Sequence, residues 1–203
     1  MKVALVSQRV DLLLERAERR DAVDQRLLDW LASCGFLPIP LPNRAERIAP
    51  LWTRVRPSVV VLSGGNDLAA YGGDAPERDE TERTLVTQAM REHVPVLGLC
   101  RGAQLLFDML GHRLERMPGH IGVRHNLRFD DCYRSVNSYH SWACRTYDTP
   151  LRVLARSDDD VIEAFCHPER AMLGVMWHPE REPVYHEHDR ALVERHLMRS
   201  AAT

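Results

Sequence analysis

The chain has 203 residues, and 27 Lys and Arg against 29 Asp and Glu give a formal net charge of −2 at pH 7. This balance excludes a protein that holds nucleic acid or an anionic membrane by a strongly basic overall field. Hydrophobic residues make up 44% of the chain and charged residues 28%, as in a globular protein with a sizeable core. No apolar run approaches the roughly 20 residues of a membrane span, and the length predicts one domain over residues 1–203.

The cysteines and the first residues indicate a protein of the reducing cytoplasm. The cysteines are odd in number and scattered, without a C-x-x-C pair, which argues against a disulfide framework and a cysteine-rich zinc site. The apolar stretch at the amino terminus is shorter than the apolar region of a signal peptide. We therefore expect a cytoplasmic protein.

In the first half of the chain, short apolar runs alternate with helical patterns. Pro38 and Pro40 each remove a hydrogen-bond donor from the second strand and predict that it lies at a sheet edge. Gly35 follows the first helix at a position where helices commonly end. Such alternation is typical of a parallel sheet covered by helices on both faces. The predicted strands are residues 2–7, 37–41, 58–62 and 95–99, and the predicted helices are residues 21–33, 48–55, 78–92 and 101–110.

The second half has strand patterns with little helix between them. These lie at residues 123–129, 151–155, 161–165 and 171–177, and a helix at 187–199 closes the chain. Successive strands without crossover helices favour antiparallel pairing. The predicted fold class is therefore α/β, with a mostly parallel sheet, helices on both faces and an antiparallel extension.

The segment around Cys100 predicts a reactive thiol. Cys100 stands between a buried strand and a helix, with Gly98 two residues before it and Gly102 two residues after it. This G-x-C-x-G pattern is the thiol counterpart of the G-x-S-x-G nucleophile elbow, in which glycines make room for a strained turn. The amino end of the following helix favours a thiolate, and the N–H of Arg101 can donate to an oxyanion.

A second turn supplies the expected base. His178 directly follows a predicted strand, and Glu180 stands two residues further on, where an extended backbone points both side chains the same way. Glu180 can therefore hold the imidazole in one tautomer, and Cys100, His178 and Glu180 are the predicted nucleophile, base and orienting carboxylate.

A third turn, Gly64-Gly65, follows the strand at 58–62. Parallel strands end at one edge of the sheet, where ligands bind, so we expect this turn to meet Cys100 and His178 there. The N–H of Gly65 is the candidate for a second oxyanion donor.

Four segments together resemble the class I glutamine amidotransferase superfamily over essentially the whole chain. They are residues 63–67 (SGGND), 98–104 (GLCRGAQ), 136–140 (VNSYH) and 177–180 (WHPE), and the second and third are similar to the γ-glutamyl hydrolase branch. The resemblance implies a flavodoxin-like fold, attack of Cys100 on a γ-glutamyl amide, a γ-glutamyl thioester, and hydrolysis by water that His178 assists. It implies no cofactor. It assigns the binding of the glutamyl α-amino and α-carboxylate groups to Gln104, Asn137, Ser138, Tyr139 and His140.

Shorter segments resemble one group within this branch, the γ-glutamyl-CDP-amidate hydrolases of bacterial capsule phosphoramidate biosynthesis. They are residues 7–10 (SQRV), 63–68 (SGGNDL), 159–165 (DDVIEAF) and 176–178 (MWH). This resemblance implies release of glutamate and cytidine diphosphoramidate, with Gln8 and Arg9 in the substrate site and Arg9 and Arg101 facing a diphosphate. A solvated loop arginine is the competing interpretation for Arg9. The expected partners are a γ-glutamyl small molecule and a cytidine nucleotide, with no nucleic acid or membrane, and a homodimer is compatible with them.

Three alternatives remain open at the level of sequence. The chain could hydrolyse another γ-glutamyl compound, such as γ-glutamyl-GABA or a folate polyglutamate, or it could be a glutaminase subunit that passes ammonia to a separate synthase. A non-catalytic regulator is the third alternative, against which the presence of Cys100, His178 and Glu180 argues.

No metal site is predicted. His186 and His188 lack a third ligand at a suitable spacing, and His120 and His125, beside Gly119 and Gly122, are expected in a loop. The basic run at 16–20 is interpreted as a solvated face.

Overall fold

The computed structural model describes residues 2–130, 132–147 and 151–198. The strands in this part of the chain are β1 (Lys2–Val6), β2 (Arg9–Leu13), β3 (Glu18–Ala22), β4 (Phe36–Pro40), β5 (Val59–Leu62), β6 (Val96–Leu99), β7 (Glu115–Arg116), β8 (Ile121–Phe129), β9 (Tyr133–Tyr139), β10 (Trp142–Ala143), β11 (Arg152–Ser157), β12 (Ile162–Cys166) and β13 (Met172–Val175). The α-helices are α1 (Gln25–Ser33), α2 (Ile48–Val55), α3 (Pro76–Arg91), α4 (Arg101–Met109) and α5 (Glu187–Val193).

One sheet holds nine of these strands, in the order β4-β1-β5-β6-β13-β12-β11-β8-β9. Neighbours from β4 to β13 are parallel, in the strand order of flavodoxin-like folds, and neighbours from β13 to β9 are antiparallel. The predicted mostly parallel sheet with an antiparallel extension is therefore confirmed. The proline-containing strand β4 lies at the edge, as predicted.

Successive residues of the central strands face opposite sides of the sheet, and each side is buried by helices. On β5, Val60 and Leu62 join one hydrophobic cluster with side chains of α2, α3 and α4, whereas Val59 and Val61 join a second cluster with side chains of α1 and α5. Burial on both faces explains why these strands are continuous apolar runs and not alternating ones.

The segment between β1 and α1 differs from the prediction. Residues 16–20 are exposed, as the predicted solvated face requires, but they belong to an antiparallel hairpin, β2–β3, whose backbone pairs from Arg9 with Ala22 to Leu13 with Glu18. The helix predicted from residue 21 begins at Gln25, where the Asp24 carboxylate accepts a hydrogen bond from the N–H of Arg26. The hairpin was missed because most of its side chains are exposed, so its strands have no alternation of apolar and polar residues.

Three further differences concern the second half of the chain. Strand β9 was not predicted as a strand. His125 lies within β8 and His120 directly before it, so the predicted loop is wrong for His125. The last helix is α-helical only to Val193 and continues as a π-helical turn over Glu194–Met198, and predicted residue 199 lies outside the described residues. None of the described helices is both long and apolar enough to cross a membrane.

A buried group of charges lies beneath the carboxyl ends of β1, β5 and β6. Arg78, Asp79 and Glu82 of α3 and Arg101 at the start of α4 are all at most 8% exposed. Glu82 accepts hydrogen bonds from Arg78 Nε at 2.9 Å and from Ser7 Oγ at 2.6 Å, and it pairs with Arg101. Arg101 also pairs with Asp79. Two guanidinium groups and two carboxylates therefore balance one another in the interior.

We expect removal of one charge from this group to destabilise the fold. Glu82→Gln leaves Arg78 and Arg101 without their shared carboxylate, and uncompensated buried charge typically costs roughly 3–5 kcal/mol of unfolding free energy. Chemical denaturation measures the change. The control is Glu18→Gln, which breaks an exposed pair with Arg20 and should change the unfolding free energy by less than about 1 kcal/mol. Equal effects of the two substitutions would contradict a special role for the buried group.

Candidate active site

Cys100 occupies a strained turn between β6 and α4. Its backbone has φ 51° and ψ −106°, a conformation that side-chain-bearing residues seldom adopt. The Cys100 N–H donates to the carbonyl of Val175 at 2.8 Å, and its carbonyl accepts from the N–H of Gln104 at 3.0 Å. The thiol therefore stands at the amino end of α4, where the helix dipole favours negative charge.

The two flanking glycines are required by close backbone packing. A Cβ atom on Gly98 would lie 2.7 Å from the backbone N of Ala103, and one on Gly102 would lie 2.3 Å from the carbonyl oxygen of Leu62. Backbone atoms cannot move aside as a flexible side chain can, so any larger residue would push the turn apart. The structure thus contains the strained elbow that the glycine spacing predicts.

His178 follows β13 and is buried beside this elbow. Its Nδ1 lies 2.7 Å from Oε1 of Glu180, which belongs to a short 3₁₀ turn over Pro179–Arg181. Burial by itself would lower the pKa of His178, but the negative charges of Cys100 and Glu180 and their hydrogen bonds raise it to about 9. The imidazole of His178 is therefore mostly protonated at neutral pH.

The turn after β5 completes the convergence that the sheet topology predicts. A Cβ atom on Gly64 would lie 2.7 Å from Cε1 of His178 and 3.6 Å from Cβ of Cys100. The absence of a side chain at Gly64 therefore lets the imidazole lie against this turn. The turns after β5, β6 and β13 meet at the carboxyl edge of the parallel strands.

Arg78, a buried residue of α3, orients the Gly64-Gly65 turn. Its guanidinium donates to the carbonyl oxygens of Ser63 at 2.6 Å and Gly64 at 3.2 Å, and also to that of Gly65. Because a trans peptide directs its N–H opposite to its C=O, the N–H of Gly65 points away from Arg78. Gly65 lines the cleft above Cys100, and its φ of +85° favours glycine.

A cleft of about 390 Å³ opens above Cys100 and His178. Of the predicted binding residues, Arg9, Gln104, Tyr139 and His140 line it. The Arg9 side chain is 48% exposed and pairs with Asp11 at 2.7 Å. Gln104 is buried, and its amide donates to the carbonyl of Trp142 at 2.8 Å.

Other predicted binding residues have different contacts in the structure. Asn137 donates to the carbonyl of His178 at 2.8 Å and accepts from the His178 N–H at 2.9 Å, so its side chain holds the catalytic turn. Ser138 Oγ donates to the carbonyl of His120 at 2.7 Å, and the amide of Gln8 donates to the carbonyl of Leu41 at 2.9 Å. Their predicted roles toward the substrate stay predictions.

The prediction that the Arg101 side chain faces a diphosphate is wrong. Its guanidinium lies in the interior, 1% exposed, paired with Asp79 and Glu82. The glycine spacing defines the backbone of the elbow but not the direction of this side chain. The N–H of Arg101 remains a candidate oxyanion donor, because the first N–H groups of a helix have no partner within it.

Four residues that line the cleft were not predicted as site residues: Asn66, Asp67, Ser141 and Arg181. Arg181 lines the cleft, and its guanidinium carbon lies 4.6 Å from the centre of the Tyr139 ring. Asn66 lines it too, and its side-chain amide holds the hairpin by two hydrogen bonds with the backbone of Val10, at 2.8 and 2.9 Å. The sequence could have identified Arg181 and Asn66 by their positions, since Arg181 directly follows Glu180 and Asn66 directly follows Gly65.

Among the described residues, one group of side chains has the composition of a metal site. The ligand atoms of His120, His125, His140 and Glu163 all lie within 4.8 Å of one another. Burial by itself would raise the pKa of Glu163, but the interactions of its carboxylate with the three nearby imidazoles hold that pKa well below its usual value. Glu163 is therefore an ionised carboxylate.

Comparison with known proteins identifies the family. The family model for class-I glutamine amidotransferases matches residues 19–199. A γ-glutamyl-CDP-amidate hydrolase of Campylobacter jejuni is 36% identical over 150 residues, which cover 73% of this chain and 73% of that protein. One subunit of a glutamine-hydrolysing GMP synthase of Methanothrix thermoacetophila is 33% identical over 129 residues, covering 56% of this chain and 69% of that one. The crystal structure of a glutamine amidotransferase of Thermotoga maritima shares the fold, with a TM-score of 0.64 at 17% identity over 100% of this chain and 86% of that chain.

Proposed function

Because the chain belongs to the class-I glutamine amidotransferase family, we propose that it hydrolyses a γ-glutamyl amide through a thioester on Cys100. The observation that carries this proposal is the position of Cys100, on a strained elbow beside an imidazole that Glu180 holds by a 2.7 Å hydrogen bond. Strained backbone conformations cluster at active sites, since the surrounding structure must compensate their cost.

In the proposed reaction, the Cys100 thiolate attacks the γ-carbonyl carbon of the substrate. The negative charge that develops on the carbonyl oxygen is stabilised by the backbone N–H groups of Gly65 and Arg101. As the C–N bond breaks, the His178 imidazolium gives its proton to the leaving nitrogen, and a γ-glutamyl thioester remains. Neutral His178 then takes a proton from water, the resulting hydroxide attacks the thioester, and glutamate leaves as the Cys100 thiolate is restored.

We further propose γ-glutamyl-CDP-amidate as the substrate, with glutamate and cytidine diphosphoramidate as products. The similarity to the Campylobacter jejuni hydrolase supports this choice. So does the charge of the cleft, since Arg9 and Arg181 both line it and can contact a diphosphate. Arg181 is thus the candidate for the diphosphate contact that the buried Arg101 cannot make.

A glutaminase subunit that acts with a separate synthase is the second candidate. The similarity to a subunit of the Methanothrix thermoacetophila GMP synthase favours it. The two candidates share the chemistry at Cys100 and differ in the group that leaves: an amidate bearing a nucleoside diphosphate, or ammonia.

Release of glutamate by the purified chain alone tests the proposal. With glutamine, γ-glutamyl-GABA and γ-glutamyl-CDP-amidate compared, we expect the highest kcat/KM for the nucleotide. Cys100→Ala should abolish turnover of all three while the circular dichroism spectrum stays that of the native protein, because no other group can form the thioester. Turnover by that variant would refute the role of Cys100, and a preference for glutamine that needs a partner would support the glutaminase.

The pH dependence of kcat/KM tests the pair His178–Glu180. With the pKa of His178 raised to about 9, the protonated imidazole that serves the leaving nitrogen is lost as the pH rises through that value, so activity should fall there. Glu180→Gln removes a carboxylate that raises this pKa. In this variant the decrease of kcat/KM at high pH should therefore occur at a lower pH. Its kcat should drop by up to about 10⁴-fold without vanishing. If the variant keeps both the pH profile and the kcat of the wild type, Glu180 does not act on His178.

Arginine variants test the nature of the leaving group. A hydrogen bond to a charged group contributes roughly 1.5–3 kcal/mol, so Arg181→Gln should raise KM for γ-glutamyl-CDP-amidate by about tenfold or more. Its KM for γ-glutamyl-GABA should change much less, since that leaving group has no phosphate. The control is Arg54→Gln, an exposed arginine of α2. An equal rise in KM for both substrates would contradict contact between Arg181 and a diphosphate.

A further inference from the structure

Three imidazoles and one carboxylate meet in the antiparallel half of the sheet. His120 precedes β8, His125 lies on β8, His140 directly follows β9, and Glu163 lies on β12. The side chains of His140 and Glu163 are fully buried, and that of His120 is 6% exposed. A polar group of this size in the interior needs a compensating interaction.

The four side chains converge on one point. Oε1 of Glu163 lies 3.2 Å from Nε2 of His140, 3.5 Å from Nδ1 of His120 and 3.5 Å from Nε2 of His125. In a tetrahedral zinc site with bonds of about 2.0–2.1 Å, neighbouring ligand atoms are about 3.3–3.4 Å apart. The separations from Glu163 are close to the edges of such a tetrahedron, and the four ligand atoms together lie within 4.8 Å of one another.

Several buried atoms of this group lack a hydrogen-bond partner among the described residues. They include Nδ1 of His120, Nε2 of His125 and Oε2 of Glu163. One carboxylate cannot serve three ring nitrogens with good geometry, and each buried polar group without a partner destabilises the fold. A cation at the centre of the group would accept the lone pairs of these nitrogens and would remove that destabilisation.

The group also has the outer support that metal-binding histidines usually have. Nε2 of His120 lies 3.1 Å from Oδ2 of Asp159, and Ser157 donates to the other oxygen of that carboxylate at 2.6 Å. In the neutral tautomer that donates its Nε2–H to Asp159, Nδ1 of His120 faces the group with a lone pair. Carboxylate–histidine–metal arrangements fix the ring and its tautomer in the same way.

We propose that His120, His125, His140 and Glu163 bind one zinc ion. Imidazole nitrogen with one carboxylate suits zinc, whereas magnesium and calcium prefer oxygen ligands alone. Four protein ligands fill a tetrahedral site, so the ion has a structural role and takes no part in the hydrolysis. The inference departs from the expectation that the chain has no metal site, because its ligands come from four separate places in the sequence.

The position of the ion explains what it would stabilise. His140 directly follows Tyr139, which lines the cleft, and Asn137 on the same strand holds His178. Zinc would tie the end of β9 to β8 and β12, and so keep one wall of the cleft and the His178 turn in register. Loss of the ion should loosen this wall without altering the residues that react.

The metal content of the purified chain tests the inference. After growth with added zinc and gel filtration, inductively coupled plasma mass spectrometry should find about one zinc per chain. A chelator should remove it and lower Tm, and Zn²⁺ but not Mg²⁺ should restore Tm. Co²⁺ added to the stripped protein should give the strong visible absorption of a tetrahedral site.

The variants separate this site from adventitious binding. His125→Gln should abolish the zinc content and the Co²⁺ absorption, whereas the matched control His186→Gln, an exposed histidine near the amino end of α5, should retain both. If His125→Gln fails to fold, metal uptake by the stripped wild-type chain decides the matter alone. Wild-type protein that takes up no zinc, or zinc that is lost from His186→Gln and kept by His125→Gln, would overturn the inference.

Discussion

The active-site geometry depends on the shared carboxylate of Glu82, which lies in the interior between two arginines. Arg78 is held there by Glu82, and it in turn holds the carbonyl oxygens of the turn after β5. Arg101 is held by the same carboxylate, at the point where the elbow passes into α4. Buried ion pairs add little net stability when compared with apolar packing, but they tolerate few alternative arrangements. Here one α3 side chain sets the relative position of two turns that belong to different strands.

That constraint allows a costly backbone conformation to be concentrated at the reactive thiol. The positive φ of Cys100 and the close approach of Gly102 to β5 are both unfavourable in isolation. The parallel sheet compensates them, since β5, β6 and β13 are hydrogen-bonded neighbours whose ends cannot separate. The same close packing leaves space beside Gly64 for an imidazole and no space for a larger side chain. Rigid strands, and not the loops alone, therefore determine where the thiol and the imidazole meet.

The antiparallel half of the sheet holds the site from the other side. The side chain of Asn137 on β9 binds the backbone of His178 through both its amide N–H and its amide oxygen. The orientation of the base therefore depends on the register of an outer strand. The edge of a sheet is its least constrained part, which makes the group around Glu163 significant. Through the carboxylate of Glu163 its histidines join β8, β12 and the end of β9 directly beside the cleft.

The sequence by itself determined the features that depend on neighbours in the chain. The elbow follows from glycines two residues on either side of Cys100, the edge strand from Pro38 and Pro40, and the parallel half from alternating apolar runs and helical patterns. Only the tertiary structure decided how side chains far apart in sequence use their polar groups. The guanidinium of Arg101 lies in the interior because its carboxylate partners are there. His120, His125, His140 and Glu163 lie together although they come from separate parts of the sequence. The physical reason is that local spacing defines backbone conformation, whereas the partners of a buried charge depend on which strand faces approach one another.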